Sequence, residues 1–268
     1  MLIVPRRKLD PASFSLAQFS PALVLDAIDL ATIILVNGFV SQWNDKSGNN
    51  RHVTQGTPAN RPAYTSLGLN GLNVVTFDGI NDGLASSFSP LSLTSQSVFA
   101  VARRNATASF MRFVTQTTSG NEDYSGSTAY IPLITGGGGG NGLPSELVSY
   151  CNPQIGSLNT RSSIALASGT WVIAQSIHSG SAIINSVNAT AGPSGAHSLG
   201  TFDVARFGIG FNPGTALGGY LNGAIAEVIV LPYAASVAIA EKIQGYLAHK
   251  WGLTAGLPAN HPYKTARP

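Results

Sequence analysis

Cysteine is nearly absent: Cys151 is the only one in 268 residues. A single thiol excludes an intramolecular disulfide, so the chain is not a disulfide-stapled scaffold. With no partner motif around it, Cys151 reads as a small buried apolar residue. Charge is scarce as well. Lys, Arg, Asp and Glu make up 10% of the residues, against about 25% in an average chain. Glycine, serine, threonine and asparagine take their place, which suits a β protein whose surface of hydroxyls and amides is partly covered by neighbours. A net charge of +3 is too small to imply nucleic acid as a partner. Arg6-Arg7-Lys8, the one basic cluster, reads as a solvated or assembly-contacting arm.

Long hydrophobic runs are missing too. Residues 224–240 come nearest, but Glu227, Pro232 and Ser236 interrupt them, and they fall short of the roughly 20 residues that span a bilayer. The opening MLIVPRRKLD sets Leu2, Ile3 and Val4 ahead of its charges. That is the wrong order for a signal peptide, and no apolar core of roughly 7–15 residues follows. Residues 1–20 lack periodicity and contain Pro5 and Pro11. They are expected to form an arm clamped by an assembly, with Arg6, Arg7, Lys8, Phe14 and Phe19 as contacts. One domain over 21–268 would follow.

Catalytic signatures are lacking. There is no His-Glu-x-x-His, no Gly-x-Ser-x-Gly, and no Gly-Lys-Ser/Thr after the glycine run at 136–140. His52, His178, His197, His249 and His261 lack metal-ligand spacing. A glycosidase needs two cooperating carboxylates, yet Glu122 and Asp123 are adjacent and would face opposite ways on a strand. Glu227 stands alone in an apolar run and reads as a paired structural carboxylate. The expectation is a non-enzyme with no cofactor and no metal.

Strand signals, by contrast, are frequent. Residues 224–231 (AIAEVIVL) form a nearly unbroken apolar run of the kind buried on both faces. Asn222-Gly223 marks a tight turn before it, and Pro232 ends it. Residues 39–43, 74–77, 97–103, 110–116, 146–151, 171–177, 182–187 and 206–211 read as further short strands. The stretch 44–50 is dense turn chemistry in which Asp45 and Ser47 tie a loop down, and Asp78-Gly79 and Asn81-Asp82-Gly83 are further turns. Asp26 and Asp29 precede residues 30–32, where a carboxylate capping a short helical turn is the simple reading. Calcium is the sharper one, but it requires more oxygen ligands than these two supply.

One helix stands out. Ala240, Ile243, Leu247 and Trp251 fall on a single stripe, Ser236 is placed to cap its start, Gly252 to end it, and Lys250 sits favourably against the helix dipole. The terminal indole predicts that this helix packs on the outside of a sheet, with Trp43, Phe77, Trp171 and Ile229 buried inside. The fold class that follows is an all-β sandwich of two antiparallel sheets with one C-terminal α-helix packed outside. Residues 119–142 break the pattern as a long irregular stretch, of a length that is usually functional. Asn121, Glu122, Asp123, Tyr124 and Tyr130 cluster there as candidate ligand-binding residues, rings for stacking on sugars beside groups that accept hydroxyls.

Three C-terminal motifs carry a resemblance: Gly223-x-Ile225-Ala226-Glu227-Val228-Ile229-Val230, Ile243-x-Gly245-Tyr246-Leu247-Ala248-x-Lys250-Trp251-Gly252-Leu253, and Leu257-Pro258-x-x-His261-Pro262-Tyr263. Upstream stand Leu25-Asp26-Ala27-x-Asp29, Val40-Ser41-Gln42-Trp43-Asn44-Asp45-Lys46-Ser47-Gly48-Asn49, and Asn70-Gly71 through Phe77-Asp78-Gly79-x-x-Asp82. In this order they resemble the concanavalin A-like (laminin-G-like) jelly-roll domains of bacteriophage virion proteins and bacterial surface proteins, from about Pro21 onward. The resemblance implies a jelly roll serving as a virion structural protein, a tail or head appendage or decoration. Its partners would be other virion proteins and further copies of itself, with an outward face that contacts host glycans. The alternative it implies is a glycan-binding lectin module at a bacterial cell surface. The glycoside hydrolase branch of the same fold is disfavoured by the missing carboxylate pair.

Overall fold

A computed structural model describes residues 14–106, 110–117, 130–135, 145–151, 161–197, 200–214 and 218–268. The spine is the strand Asn222–Leu231, whose apolar run needs partners on both edges and cover on both faces. Gln96–Arg104 takes one edge along nearly its whole length. Leu72–Asp78 and then Leu23–Asp26 share the other. Gln96–Arg104 goes on to pair with Val172–His178, and that strand with Ala182–Val187.

In the other direction Leu72–Asp78 pairs with Ala63–Leu69, followed by Phe39–Trp43, Val53–Thr54, Leu84–Ala85, Arg206–Ile209 and Val114–Thr117. Fifteen strands so join into one antiparallel sheet. The sheet curls, so that Leu84, Phe207 and Ile209 share one apolar core with Phe77, Phe99, Ile225 and Ile229. Met111–Arg112, Tyr130–Thr135, Glu146–Cys151 and Arg161–Ala165 make a second, four-stranded sheet. Asn185, fully buried on the large sheet, clamps the two together. Its Oδ1 meets Ser149 Oγ at 2.8 Å, its Nδ2 donates to Ser162 O at 2.8 Å, and its N–H donates to Ser162 Oγ at 2.8 Å. An amide satisfied on both ends can be buried without the cost of an orphaned polar group.

The helix spans Val237–Trp251. Ser236 Oγ accepts from Ile239 N–H at 3.4 Å, and Gly252 ends the helix in the left-handed conformation at φ 69°, as capping chemistry predicts. Ala240, Ile243, Leu247 and Trp251 are all buried against the sheet. No described helix is long and apolar enough to cross a membrane. Asp29 caps the turn Leu30–Thr32 by accepting from Ala31 N–H at 3.3 Å. Asp45 takes N–H groups of Val24 and Ser47 on Oδ1, and the Ser47 hydroxyl and Arg51 N–H on Oδ2, so it fastens its loop to the first strand.

Four expectations change. Trp43, Phe77 and Ile229 are buried, but Trp171 is only half-buried. It stands just before its strand and is covered on one side by the Arg103 guanidinium, 5.2 Å from the ring centroid. Asn222-Gly223 is not a turn: both residues lie in the strand, opposite Asp78 and Phe77. Gly223 is there for close approach, since a Cβ would collide with the Arg103 carbonyl, and the positive φ lies earlier, at Gly219. Residues 110–116 are not one strand. Phe110 has φ 65°, and the chain crosses from the small sheet at Met111–Arg112 to the large one at Val114–Thr117. The stretch 119–142 contains the strand Tyr130–Thr135, in which Pro132 falls at a break in the register between Ile131 and Ile134. That is a place where a strand tolerates proline.

Candidate functional site

Two regions gather chemistry-bearing side chains. The first lies under the helix. Asp26 and Glu227 are register partners on adjacent strands, which puts two carboxylates side by side. Lys250, at the end of the helix, bridges them with Nζ 2.9 Å from Asp26 Oδ2 and 2.7 Å from Glu227 Oε2. Trp251 Nε1 donates to Glu227 Oε2 at 2.6 Å, and the Tyr246 hydroxyl donates to Oε1 at 2.9 Å. Lys46 adds contacts of 3.0 Å to Asp26 and 2.8 Å to Asp29. Burial alone would raise Asp26, but Lys250 and Lys46 outweigh it and hold the carboxyl below its ordinary range. At Glu227 burial wins over Lys250, and the pKa is raised. Burial and the neighbouring Glu227 also raise the Tyr246 phenol. Every Glu227 oxygen is engaged, so the cluster serves as the paired structural carboxylate that the sequence suggested.

The second region is open. Three turns, at Asn37-Gly38, at Pro58–Asn60 and after Asp78, meet at one end of the large sheet, because strand register brings residues 39, 63, 76 and 78 into a row: Phe39 faces Ala63, Ala63 faces Thr76, and Asp78 lies two residues on. Asn37-Gly38, both at positive φ, closes the hairpin between Ile33–Val36 and Phe39–Trp43 in the manner that Asn-Gly favours. In the turn after Leu72–Asp78, Asp78 Oδ1 accepts from Ile80 N–H at 2.7 Å and Asn81 N–H at 3.2 Å. Asp82 Oδ2 accepts in return from Asp78 N–H at 3.0 Å.

Between these turns lies a groove of about 530 Å³, lined among others by Asn37, Phe39, Arg61, Thr76, Asp78 and Asp82. Phe39 is 47% exposed, which leaves its ring free to stack. Arg61 is anchored to the carbonyls of Gln55 and Gly56 at 2.9 and 3.2 Å. Asp82 is buried, and burial pushes its carboxyl up to about 6, with the nearby Asp78 charge acting in the same direction. Among the described residues no cation lies within ion-pair distance of Asp78 or Asp82. One oxygen of each, Asp78 Oδ2 and Asp82 Oδ1, takes no hydrogen bond from a described residue. An exposed ring beside free acceptors and an amide is the chemistry that holds a polyhydroxylated ligand with an apolar face.

Of the residues singled out from sequence, Asn121, Glu122, Asp123 and Tyr124 lie outside the described residues. Tyr130 opens a strand of the small sheet. Arg6, Arg7 and Lys8 lie outside the described residues as well. Phe14 stacks on Tyr246 with centroids 4.8 Å apart, and Phe19 is buried on its own chain. His178 and His197, 19 positions apart, stack at 4.4 Å, and burial first, then His197, pushes His178 down to about 3. Among the described residues no group of three or more His, Cys, Asp or Glu is placed to hold a metal. The groove residues escaped the sequence reading because 39, 61 and 78–82 converge only through register. The available signal was an Asn-Gly hairpin next to an aromatic residue, with two Asx-Gly turns downstream.

No protein-family model matches this chain, and no curated protein matches it in sequence. Solved structures do match. Domain 4 of AbnA, a GH43 extracellular arabinanase from Geobacillus stearothermophilus solved in complex with arabinotriose, aligns at TM-score 0.50 and 16% identity, over 72% of this chain and 88% of that one. The ligand binding domain of botulinum neurotoxin serotype D in complex with N-acetylneuraminic acid aligns at 0.55 and 11% identity, over 85% of this chain and 51% of that one. A botulinum neurotoxin type C structure, described by its interaction with two ganglioside molecules, aligns at 0.52 and 10% identity over 87% and 53%. The shared fold is a β-sandwich. At such identity the likeness is one of fold alone, and this chain spans about half the length of the toxin chains.

Proposed function

We propose that this chain is a non-catalytic, glycan-binding β-sandwich of the concanavalin A-like jelly-roll class, displayed on a bacteriophage virion or a bacterial cell surface. The observation that carries this reading is the groove in which the half-exposed Phe39 ring stands beside Asn37, Asp78 and Asp82. The ring would stack on a pyranose face while the free carboxylate oxygens take its hydroxyls. Sugar ligands named for two structures of the same fold support it. A fold hosts many functions, so the weight rests on the groove.

The assembly side of the reading has its own support. Ile34, Leu35 and Val36 are exposed on the hairpin that ends at the groove, and Leu30 in the turn just before it, and a run of apolar side chains of this kind suits a covering neighbour. Residues 1–20 would be the arm that ties the domain at 21–268 into that assembly, anchored to its own domain by Phe14 and Phe19. A glycan array probed with the wild type and Phe39→Ala tests the binding claim. Wild-type binding to at least one glycan, lost in Phe39→Ala, is expected. An array on which the wild type binds nothing contradicts it.

A further inference from the structure

His261 belongs to the C-terminal motifs and Gln244 fills an unspecified position inside one, yet the Phe39 groove uses neither. Both line a second cavity of about 410 Å³ between the helix and the strands Val172–His178 and Ala182–Val187. Its floor is a directed chain of hydrogen bonds. The backbone N–H of Tyr263 points at Nδ1 of His261, 3.2 Å away. A backbone amide nitrogen can only donate, so Nδ1 accepts and the ring proton sits on Nε2. Burial lowers the His261 pKa, which keeps the ring neutral.

Nε2 then donates to Gln244 Oε1 at 3.2 Å, and Gln244 Nε2 donates to Gln175 Oε1 at 2.6 Å. Gln175 Nε2 reaches Ser186 Oγ at a long 3.5 Å. One backbone N–H therefore fixes the orientation of both amides. It leaves the Ser186 hydroxyl proton and the loosely engaged Gln175 amide as donors at the end of the chain. Gln175, Ser186, Gln244 and His261 are all buried while lining the cavity. Their orientation is thus set before any ligand arrives, which is what a preorganised site requires.

The walls narrow the choice of ligand. Ala189, Ala191, Ala235 and Ala240 present methyl groups. Among the described residues of the lining Glu241 is the one charged side chain, and neither lysine nor arginine contributes, so a carboxylate or phosphate finds no counter-charge among them. The fitting group is uncharged, offers a carbonyl oxygen to Ser186 and Gln175, and carries a small apolar end for the alanines. We propose that this cavity is a second ligand site, taking the acetamido group of a neutral N-acetylated amino sugar. The inference rests on the reading that the chain meets glycans, but it shares no residue with the Phe39 groove.

The test is an NMR titration of the full chain, labelled at its alanine methyls, with N-acetylglucosamine and with glucose. N-acetylglucosamine shifts the Ala189, Ala191 and Ala240 methyls, and glucose at the same concentration leaves them in place. Ser186→Ala weakens the response by about three- to tenfold, the loss of one hydrogen bond, while Phe39→Ala leaves it unchanged. Three outcomes overturn the proposal: no alanine shift with N-acetylglucosamine, an equal shift with glucose, or wild-type affinity in Ser186→Ala. Alanine shifts alongside an empty glycan array would sink the Phe39 groove and leave this site standing. Array binding without alanine shifts would do the reverse.

Discussion

Around Glu227 each carboxylate oxygen meets an ammonium, an indole N–H or a phenol, whereas around Asp82 the carboxyls meet backbone N–H groups and an open groove. Both regions bury acid, but among the described residues only the first pairs it with cations, since Arg61 of the groove is bound to backbone carbonyls. Removing charge from water is costly, and close pairing with further hydrogen bonds offsets that cost. The helix end does this fully for Asp26 and in part for Glu227, whose pKa stays raised, but every Glu227 oxygen is engaged, so nothing there is left over for a ligand. At the groove no described cation pairs with the acids, and the Asp82 carboxyl is pushed up to about 6. A perturbed acid beside an exposed ring in a groove is where a ligand gains most. The difference separates a structural cluster from the proposed recognition site.

The sharpest way to break the comparison is to take away the helix-side partners. Trp251→Ala removes a fully buried indole and the N–H that it gives to Glu227. The expected loss is about 3–5 kcal/mol in urea denaturation. Lys250→Met leaves two buried carboxylates without their shared cation and should cost about 3–5 kcal/mol as well. That cost has a pH signature. Both acids are neutral in the unfolded chain at low pH, so the gap between wild type and Lys250→Met narrows as pH falls through the carboxylate range. A gap that stays constant would mean that Lys250 acts by packing alone.

A smaller effect is expected at the groove. Because the folded-state pKa of Asp82 is raised, the folded chain holds its proton more tightly than the unfolded one. The stability that this gives is complete below the unfolded value, near 4, and is lost as pH rises through about 6. Asp82→Asn carries no such loss, so its thermal midpoint should exceed that of the wild type at pH 8 and match it near pH 4. The gain is at most about 3 kcal/mol for a shift of roughly two units. Equal midpoints at pH 8 would show that Asp82 is not strained by burial.

Much of the architecture was legible in the sequence, and for physical reasons. The helix is encoded locally, by a stripe ending in Trp251 and by Ser236 and Gly252 as caps. The run around Ile229 could only be a strand buried on both faces. Asp29 and Asp45 were readable because Asx side chains bond to backbone a few positions away. Tyr130–Thr135 was hidden by Pro132, which a break in register accommodates. Gly223 was misread because a glycine needed for close approach to Arg103 looks the same in sequence as one needed for a turn. The groove was the least legible part, since its residues come from three separate turns that meet only when strands pair. The Gln175–Gln244–His261 chain was hidden in the same way.

The least expected effect on stability belongs to Phe39→Ala. The ring is about half exposed, so its removal should change stability by less than about 1 kcal/mol. That makes it the partner of Lys250→Met in the most direct test of the account: a titration of both variants and the wild type with the best array glycan, at a temperature where all three are folded. Phe39→Ala is expected to weaken binding by about tenfold, the value of one stacked ring, and Lys250→Met to bind as the wild type does. Wild-type affinity in Phe39→Ala, or loss of binding in folded Lys250→Met, would contradict it.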